Sequence, residues 1–506
     1  MAIFAMLNKW TGFFRVARIV IPLSVAVSLL LLSCGGGGGT SAPTPGSGTP
    51  TPPVGEIIVP VVGSSRMITP EFNSYNFNVL RVASDVENPA LIAGLRALNA
   101  GSLRVPGGTP GEYWDWQRGG IRLGPYPGLP GPAPFGDDIL AISGLTPPVI
   151  DRLLDNVGTP ALFTANVLTA SLDENLTDIA AFRALGQPIT RIALGNEEYF
   201  RLPNPAARFP SARAYGDLAR EWAGRFRLEA PTARLAVIAP SPLRNTGITF
   251  EDWIAGLDSA AVWPAVDAVA IHPYFDTTAL RPLSSPASGE AMIAAMIAHD
   301  NDYLSRVTAR IPASKSIWVT EWNVFEEEAV AVSGGSWLTA VANLARAVNF
   351  LSNPRVELSS MHVAVGNRQW SALTDASGRA LDYADGRPVV IVGAPFTLTA
   401  NGEAMALLGA ATRGGGSAQS LDLGAASGGR VLVGARIAST DGRVRDILVN
   451  GRATSVRVQT NGRVLLLTAQ FDRGTVATQT LQRSSFFTAD NLVTLPPFSA
   501  ALIERP

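Results

Sequence analysis

Cysteine occurs once in these 506 residues, at Cys34, lysine twice, at Lys9 and Lys315, and histidine three times. A lone cysteine cannot form a disulfide within its own chain. One cysteine and three histidines leave no spacing from which a zinc site could be built, so no metal and no cofactor is expected. Net charge is also scarce: 40 Lys+Arg face 41 Asp+Glu, for a formal charge of −1. That balance lacks the clustered cations that phosphate binding needs and argues against a nucleic-acid partner. No G-x-G-x-x-G follows the first strand, which removes the commonest nucleotide-binding form of an open α/β sheet. Apolar residues are plentiful, at 47% of the chain, enough for a large core in a chain too long for one small domain.

The N-terminus reads as an export segment. Lys9, Arg15 and Arg18 form a basic region ahead of the apolar run IVIPLSVAVSLLLL at 19–32, which is short of the roughly 20 residues that a spanning helix needs. LLSC at 31–34 resembles the cleavage box of bacterial lipoproteins, which implies lipidation of Cys34 and removal of residues 1–33. Attachment through more than one acyl chain gives stable anchoring. GGGGGTSAPTPGSGTPTPP comes next, a composition that buries nothing and serves as a tether over 34–55. The resemblance makes the membrane a partner through Cys34. Gly35 fits delivery to an outer membrane, on its periplasmic or outer face.

Beyond the tether, short β-rich segments alternate with helical ones. Strands are expected at 72–80, 102–108, 161–169, 189–200, 234–242, 266–275, 316–325 and 359–366, with helices at 88–100, 176–186, 211–230, 290–307 and 337–351 between them. Near-continuous apolar strands separated by helices suit a parallel sheet covered on both faces. Eight such units imply a (β/α)8 TIM barrel over 69–412, with a doubly wound sheet as the alternative. After 412 the texture changes to short strands joined by Asp441-Gly442, Asn450-Gly451 and Asn461-Gly462, dipeptides suited to tight hairpins. An antiparallel β-sandwich is expected over 413–506, and residues 56–68 are expected to add a strand to it.

In such barrels the reactive groups come from the C-terminal ends of strands. Those ends carry Arg104 and Pro106-Gly107-Gly108, Asn166, Asn196-Glu197-Glu198, His272-Pro273-Tyr274, Glu321-Trp322-Asn323, and then Asn367, Arg368 and Trp370. Two carboxylates across one barrel mouth are what glycoside hydrolysis requires: one protonated to release the leaving sugar, one ionised. Pro106-Gly107-Gly108 is equally well explained as a turn, and Glu326-Glu327-Glu328 reads as a solvated loop. Glu198 should point away from Glu197 if strand alternation persists.

Asn196-Glu197 after one strand and Thr320-Glu321-Trp322-Asn323 after a later one resemble the clan A retaining glycoside hydrolases. The likeness is to the group of α-L-arabinofuranosidases, β-xylosidases and heparanase-like β-glucuronidases, and LRVPGGTPGEYWDW at 103–116 and TLPPFSAALIE at 494–504 share in it. It implies Glu197 as general acid/base, Glu321 as nucleophile, Arg104 holding the nucleophile, and Tyr274 bonding it with His272 beside. Asn196 and Asn166 are expected to bind substrate. Trp322, Trp370 and Trp114 or Trp116 are expected to offer flat faces to sugar C–H groups. The function implied is a retaining glycosidase that works by double displacement on a glycan. A catalytically silent glycan-binding lipoprotein and a polysaccharide lyase are the alternatives.

Overall fold

The computed structural model describes residues 57–244, 246–276, 285–325, 336–366, 371–384, 387–424, 431–469 and 481–506. The export segment, Cys34, the tether, Glu326–Glu328, Asn367, Arg368 and Trp370 lie outside them.

Eight parallel strands close into a barrel. In chain order they are β1 (Asn73–Asn76), β2 (Ser102–Val105), β3 (Ala161–Ala165), β4 (Arg191–Leu194), β5 (Arg234–Ile238), β6 (Ala268–Ile271), β7 (Ser316–Trp322) and β8 (Val356–His362). Each pairs with its neighbours in sequence, and β8 closes on β1 through Ser359 opposite Asn73. The principal helices succeed the strands one for one: α1 (Pro89–Ala97), α2 (Pro147–Val157), α3 (Leu172–Ala184), α4 (Ala212–Glu229), α5 (Phe250–Ser259), α6 (Pro286–Arg310), α7 (Trp337–Ser352) and α8 (Ala400–Thr412). The expected TIM barrel is therefore present and the doubly wound sheet is not.

The strands are short and apolar because helices cover them on the outside and side chains fill the barrel inside. β2, β3, β4 and β6 are buried at every residue, as parallel strands covered on both faces must be. The floor of the barrel is charged. Arg191 pairs with Glu71 and Glu357, each at 2.9 Å, Arg234 reaches Glu357 at 3.0 Å, and the Trp318 indole donates to the same carboxylate. Those charges shift β8 relative to the sequence expectation. The strand begins at Val356, with Glu357 in the floor, and ends at His362 instead of 366.

The second layer is antiparallel. Seven strands lie in the order Val61–Ile68, Gly416–Asp422, Leu432–Ser439, Val444–Asn450, Ser499–Glu504, Arg463–Thr468, Gln482–Phe487. A three-stranded sheet, Ile57–Ile58, Val456–Gln459 and Leu492–Leu495, packs on it through Ile58, Leu421, Leu448, Val458, Val464, Val493 and Ile503. The sandwich adjoins α7 and α8; the buried Trp337 at the start of α7 donates its indole N–H to the carbonyl of Phe498. A hairpin, Arg379–Ala384 with Arg387–Val392, interrupts the connection from β8 to α8. No helix among the described residues is long and apolar enough to cross a membrane.

Candidate active site

The end of β4 places its three polar residues in three different ways. Gly195 turns the backbone at φ +99°, and a Cβ there would lie 2.3 Å from Glu198 Oε1. The glycine lets the chain leave the strand and lets Glu198 fold back, where its carboxylate accepts the Asn196 N–H at 3.0 and 3.1 Å. Glu198 is fully buried, while Glu197 keeps 22% of its side chain exposed toward the mouth. Tyr215 of α4 fastens the strand end beneath them, donating to Leu194 O at 2.6 Å and accepting the Ile238 N–H of β5.

Across the mouth, β7 carries the second carboxylate. Its pairing with β8 advances from Val319 opposite Ser359 to Trp322 opposite Met361, so one extra residue sits on β7 at this point. Such a bulge re-aims the side chains around it. Thr320 meets His272, Glu321 meets Arg104 and Tyr274, and Trp322 packs edge-on against Phe350 of α7 at 5.4 Å.

Arg104, fully buried at the end of β2, joins the two sides. It donates to Glu321 Oε1 at 2.5 Å and to Asn196 Oδ1 at 2.7 Å. The Tyr274 hydroxyl donates to Glu321 Oε2 at 2.7 Å. His362, at the end of β8, lies 3.7 Å from the same oxygen with its Nδ1 3.0 Å from Asn76 Nδ2. Gly108 leaves room for this cluster, since a Cβ there would stand 2.3 Å from Glu321 Oε1. On the other side, Glu197 Oε1 is met by His272 Nδ1 at 2.8 Å and accepts the Tyr199 hydroxyl at 3.1 Å, and His272 Nε2 lies 3.0 Å from Thr320 Oγ1.

The electrostatics separate the carboxyl groups. Burial alone would push the Glu321 carboxyl up; His272, Arg104, His362 and the Tyr274 hydroxyl overcome it and hold the group down at about 2. Burial pushes His362 down to about 4 despite the attraction of Glu321, so at neutral pH it is uncharged, while Arg104 stays charged beside Glu321. Glu198 moves the other way, up to about 8, because burial and the nearby Glu197 outweigh its backbone hydrogen bonds and Arg104. Among the described residues no group of three or more His, Cys, Asp or Glu side chains is placed to hold a metal ion.

Arg104, Asn196, Glu197, His272, Tyr274 and Glu321 are therefore brought together. Asn166 is not: its amide donates to Trp114 O and Thr169 Oγ1 and accepts the N–H groups of Thr169 and Ala170, which makes it a brace of the β3 loop. The tryptophans correct the expectation of sugar-stacking faces. Trp322 is wholly buried beneath the Arg346 guanidinium, Trp114 packs edge-on with Trp116, and Trp116 packs on Phe182. Trp370 lies outside the described residues. Glu112, Tyr199, Thr320 and His362 join the site without having been singled out by sequence. An earlier end to β8, by four residues, would have pointed to His362, and Glu112 stands inside the motif that carries Arg104.

No protein-family profile and no curated protein sequence matches this chain. Solved structures do. A family 51 α-L-arabinofuranosidase from Bifidobacterium longum aligns over 88% of this chain and 98% of its own, with a TM-score of 0.61 at 14% identity. The chain shares the fold of the family 51 arabinofuranosidases. The arabinofuranosidase from Xanthomonas axonopodis pv. citri gives the same TM-score of 0.61 at 15% identity, over 88% of this chain and 99% of its own. A 4-O-α-L-rhamnosyl-β-D-glucuronidase from Fusarium oxysporum gives 0.59 at 14% identity, over 89% and 100%. The shared fold thus includes the sandwich as well as the barrel.

Proposed function

We propose that this protein is a retaining glycoside hydrolase in which Glu321 attacks the anomeric carbon and Glu197 serves as acid and then base. The observation that carries this is the contrast between the two carboxyl groups at one barrel mouth. Glu321 is nearly buried and held ionised by Arg104 and Tyr274, the condition of a nucleophile. Glu197 is the more open of the two and meets His272 and the Tyr199 hydroxyl.

In the first step a Glu321 oxygen forms a bond to the anomeric carbon while the bond to the leaving oxygen breaks and Glu197 supplies its proton. Glu197 Oε1 already faces His272 and Tyr199, so Oε2 is the oxygen from which the proton is delivered. Attack consumes the charge of Glu321, and Arg104 then keeps its bond to Asn196 Oδ1, which fixes that amide for a sugar hydroxyl. In the second step Glu197 takes a proton from water, the water oxygen bonds to the anomeric carbon, and the Glu321 carboxylate is released. The chemistry needs no cofactor.

The test is product release from a panel of polysaccharides and aryl glycosides by wild type, Glu197→Ala and Glu321→Ala. Loss in both variants, with azide restoring Glu321→Ala turnover and giving product of inverted configuration, is the expected result. Wild-type activity that survives both substitutions would sink the assignment. We further propose export and lipid attachment at Cys34; metabolic labelling with a fatty acid should mark wild type and leave Cys34→Ser unmarked.

A further inference from the structure

Two buried carboxyl groups stand behind Glu197, and the double displacement uses neither. Glu112 belongs to the 3-10 turn Thr109–Tyr113 beyond the end of β2, and it is 5% exposed. Its Oε1 accepts the backbone N–H of Glu197 at 3.1 Å. Glu198 accepts the backbone N–H of Asn196 with both oxygens. Carboxyl groups on two separate segments thus take the two successive peptide N–H groups that lead into Glu197. Surface carboxylates do not need such partners, and buried ones are costly unless their charge is satisfied or removed.

We propose that Glu112 and Glu198 are positioning residues for Glu197, gripping the peptide N–H groups of Asn196 and Glu197 and so holding its carboxyl group toward the mouth. This rests on Glu197 being the acid/base group. The groups that face the pair are few. Glu112 is confronted by Glu198, Glu197, Glu321 and Tyr113, and Glu198 by Glu112, Glu197, Tyr113, Tyr215 and Arg104. Arg104 is the one cation among them, and its two Nη atoms are bonded to Glu321 and Asn196.

Burial pushes Glu112 well up, and the neighbouring Glu198 pushes it further; burial raises Glu198 as well. A value of about 8 leaves Glu198 mostly protonated at neutral pH, so its grip on Asn196 buries little charge.

Glu112→Gln and Glu198→Gln keep an acceptor oxygen and the side-chain shape while removing the ionisation; Glu112→Ala and Glu198→Ala remove the acceptor as well. Two readouts test the pair. A carboxyl group raised in the folded state stabilises it below its unfolded value and ceases to as pH rises through the folded one. The melting temperature of wild type should therefore fall more steeply between pH 5 and pH 8 than that of either Gln variant. In the folded proteins kcat should fall about tenfold or more in both alanine variants with KM little changed, because the aim of Glu197 is lost and the sugar contacts are not, while the Gln variants should keep most of it. Parallel melting curves would overturn the proposal whatever the activity. Alanine variants that keep the wild-type kcat would overturn the positioning, and so would Gln variants that fall as far as the alanine ones. A wild type inactive on every glycan, with flattened curves, would strike the glycosidase reading first and the positioning of an acid/base group with it.

Discussion

Replacing Tyr274 by phenylalanine isolates one of the bonds that keep Glu321 ionised. The hydroxyl donates to Glu321 Oε2 at 2.7 Å, and a hydrogen bond to a charged group contributes about 1.5–3 kcal/mol. At about 1.36 kcal/mol per pH unit, its loss should raise the Glu321 carboxyl by about 1–2 units. Starting from about 2, the group stays ionised at neutral pH, so the variant should retain activity there. The sign of the stability effect comes from the depressed value. A lowered carboxyl stabilises the fold above its unfolded range and ceases to as pH falls through its folded value. Tyr274→Phe should therefore be less stable than wild type at pH 7 by about 1.5–3 kcal/mol. That gap should close as the pH approaches 2. Acid unfolding followed by near-ultraviolet circular dichroism measures the gap, and the acid limb of kcat/KM should move up by the same 1–2 units or so. A gap that stays constant from pH 7 to pH 2, with an unmoved acid limb, would show that the hydroxyl does not act on the ionised form of Glu321.

Gly108→Ala should leave the fold intact but push Glu321 off Arg104, because the new methyl would sit 2.3 Å from Glu321 Oε1; kcat should fall more than about tenfold, the counterpart of about 1.4 kcal/mol, and unchanged kcat would contradict the close approach. Arg346→Met should destabilise the barrel by about 3–5 kcal/mol, the cost of leaving one buried charge unpaired, since Arg346 and Asp300 are both fully buried and paired at 2.7 Å. Arg346 also donates to Pro273 O, between His272 and Tyr274, so the same variant should lose activity at temperatures where it remains folded. Trp337→Phe removes the indole bond to Phe498 O and should lower stability by about 0.5–1.5 kcal/mol, measured by thermal unfolding, with kcat unchanged.

The barrel was legible in the sequence because strands buried on both faces leave apolar runs, and the interleaved helices show their period. α2, α5 and α8 were not among the expected helices; in α2, VIDRLLDNV sits in a Gly/Pro-rich stretch that reads as loop, and its start at Pro147 and the left-handed Gly158 after it were the available signals. β8 was displaced for a different reason. Glu357 looks like a solvent residue until Arg191 and Arg234 are seen to meet it in the barrel floor. That Glu197, Glu321, Arg104, His272 and Tyr274 meet at one mouth was legible because each stands at a strand end in a motif. Trp322, Trp114 and Trp116 failed because a motif gives position and not direction. One extra residue in β7 turns Trp322 toward α7, and no spacing rule in the sequence marks it. Glu112 stood inside a motif and Glu198 beside Glu197, but their grip on the backbone depends on how the chain turns after β2 and β4, which no spacing marks.

The strand Val61–Ile68 has a consequence for the order in which this molecule can be made. It precedes the whole barrel in the chain, yet its partner is Gly416–Asp422, and Gln419 reaches the carbonyl of Gly63 across 356 residues. This early segment must therefore wait, as an unpaired edge, until nearly the last has arrived. Contacts so distant in sequence are slow to form and leave strand edges open to wrong partners meanwhile. A barrel that closes first would hold the two ends near each other, and the sandwich would then act as the clasp that completes the molecule.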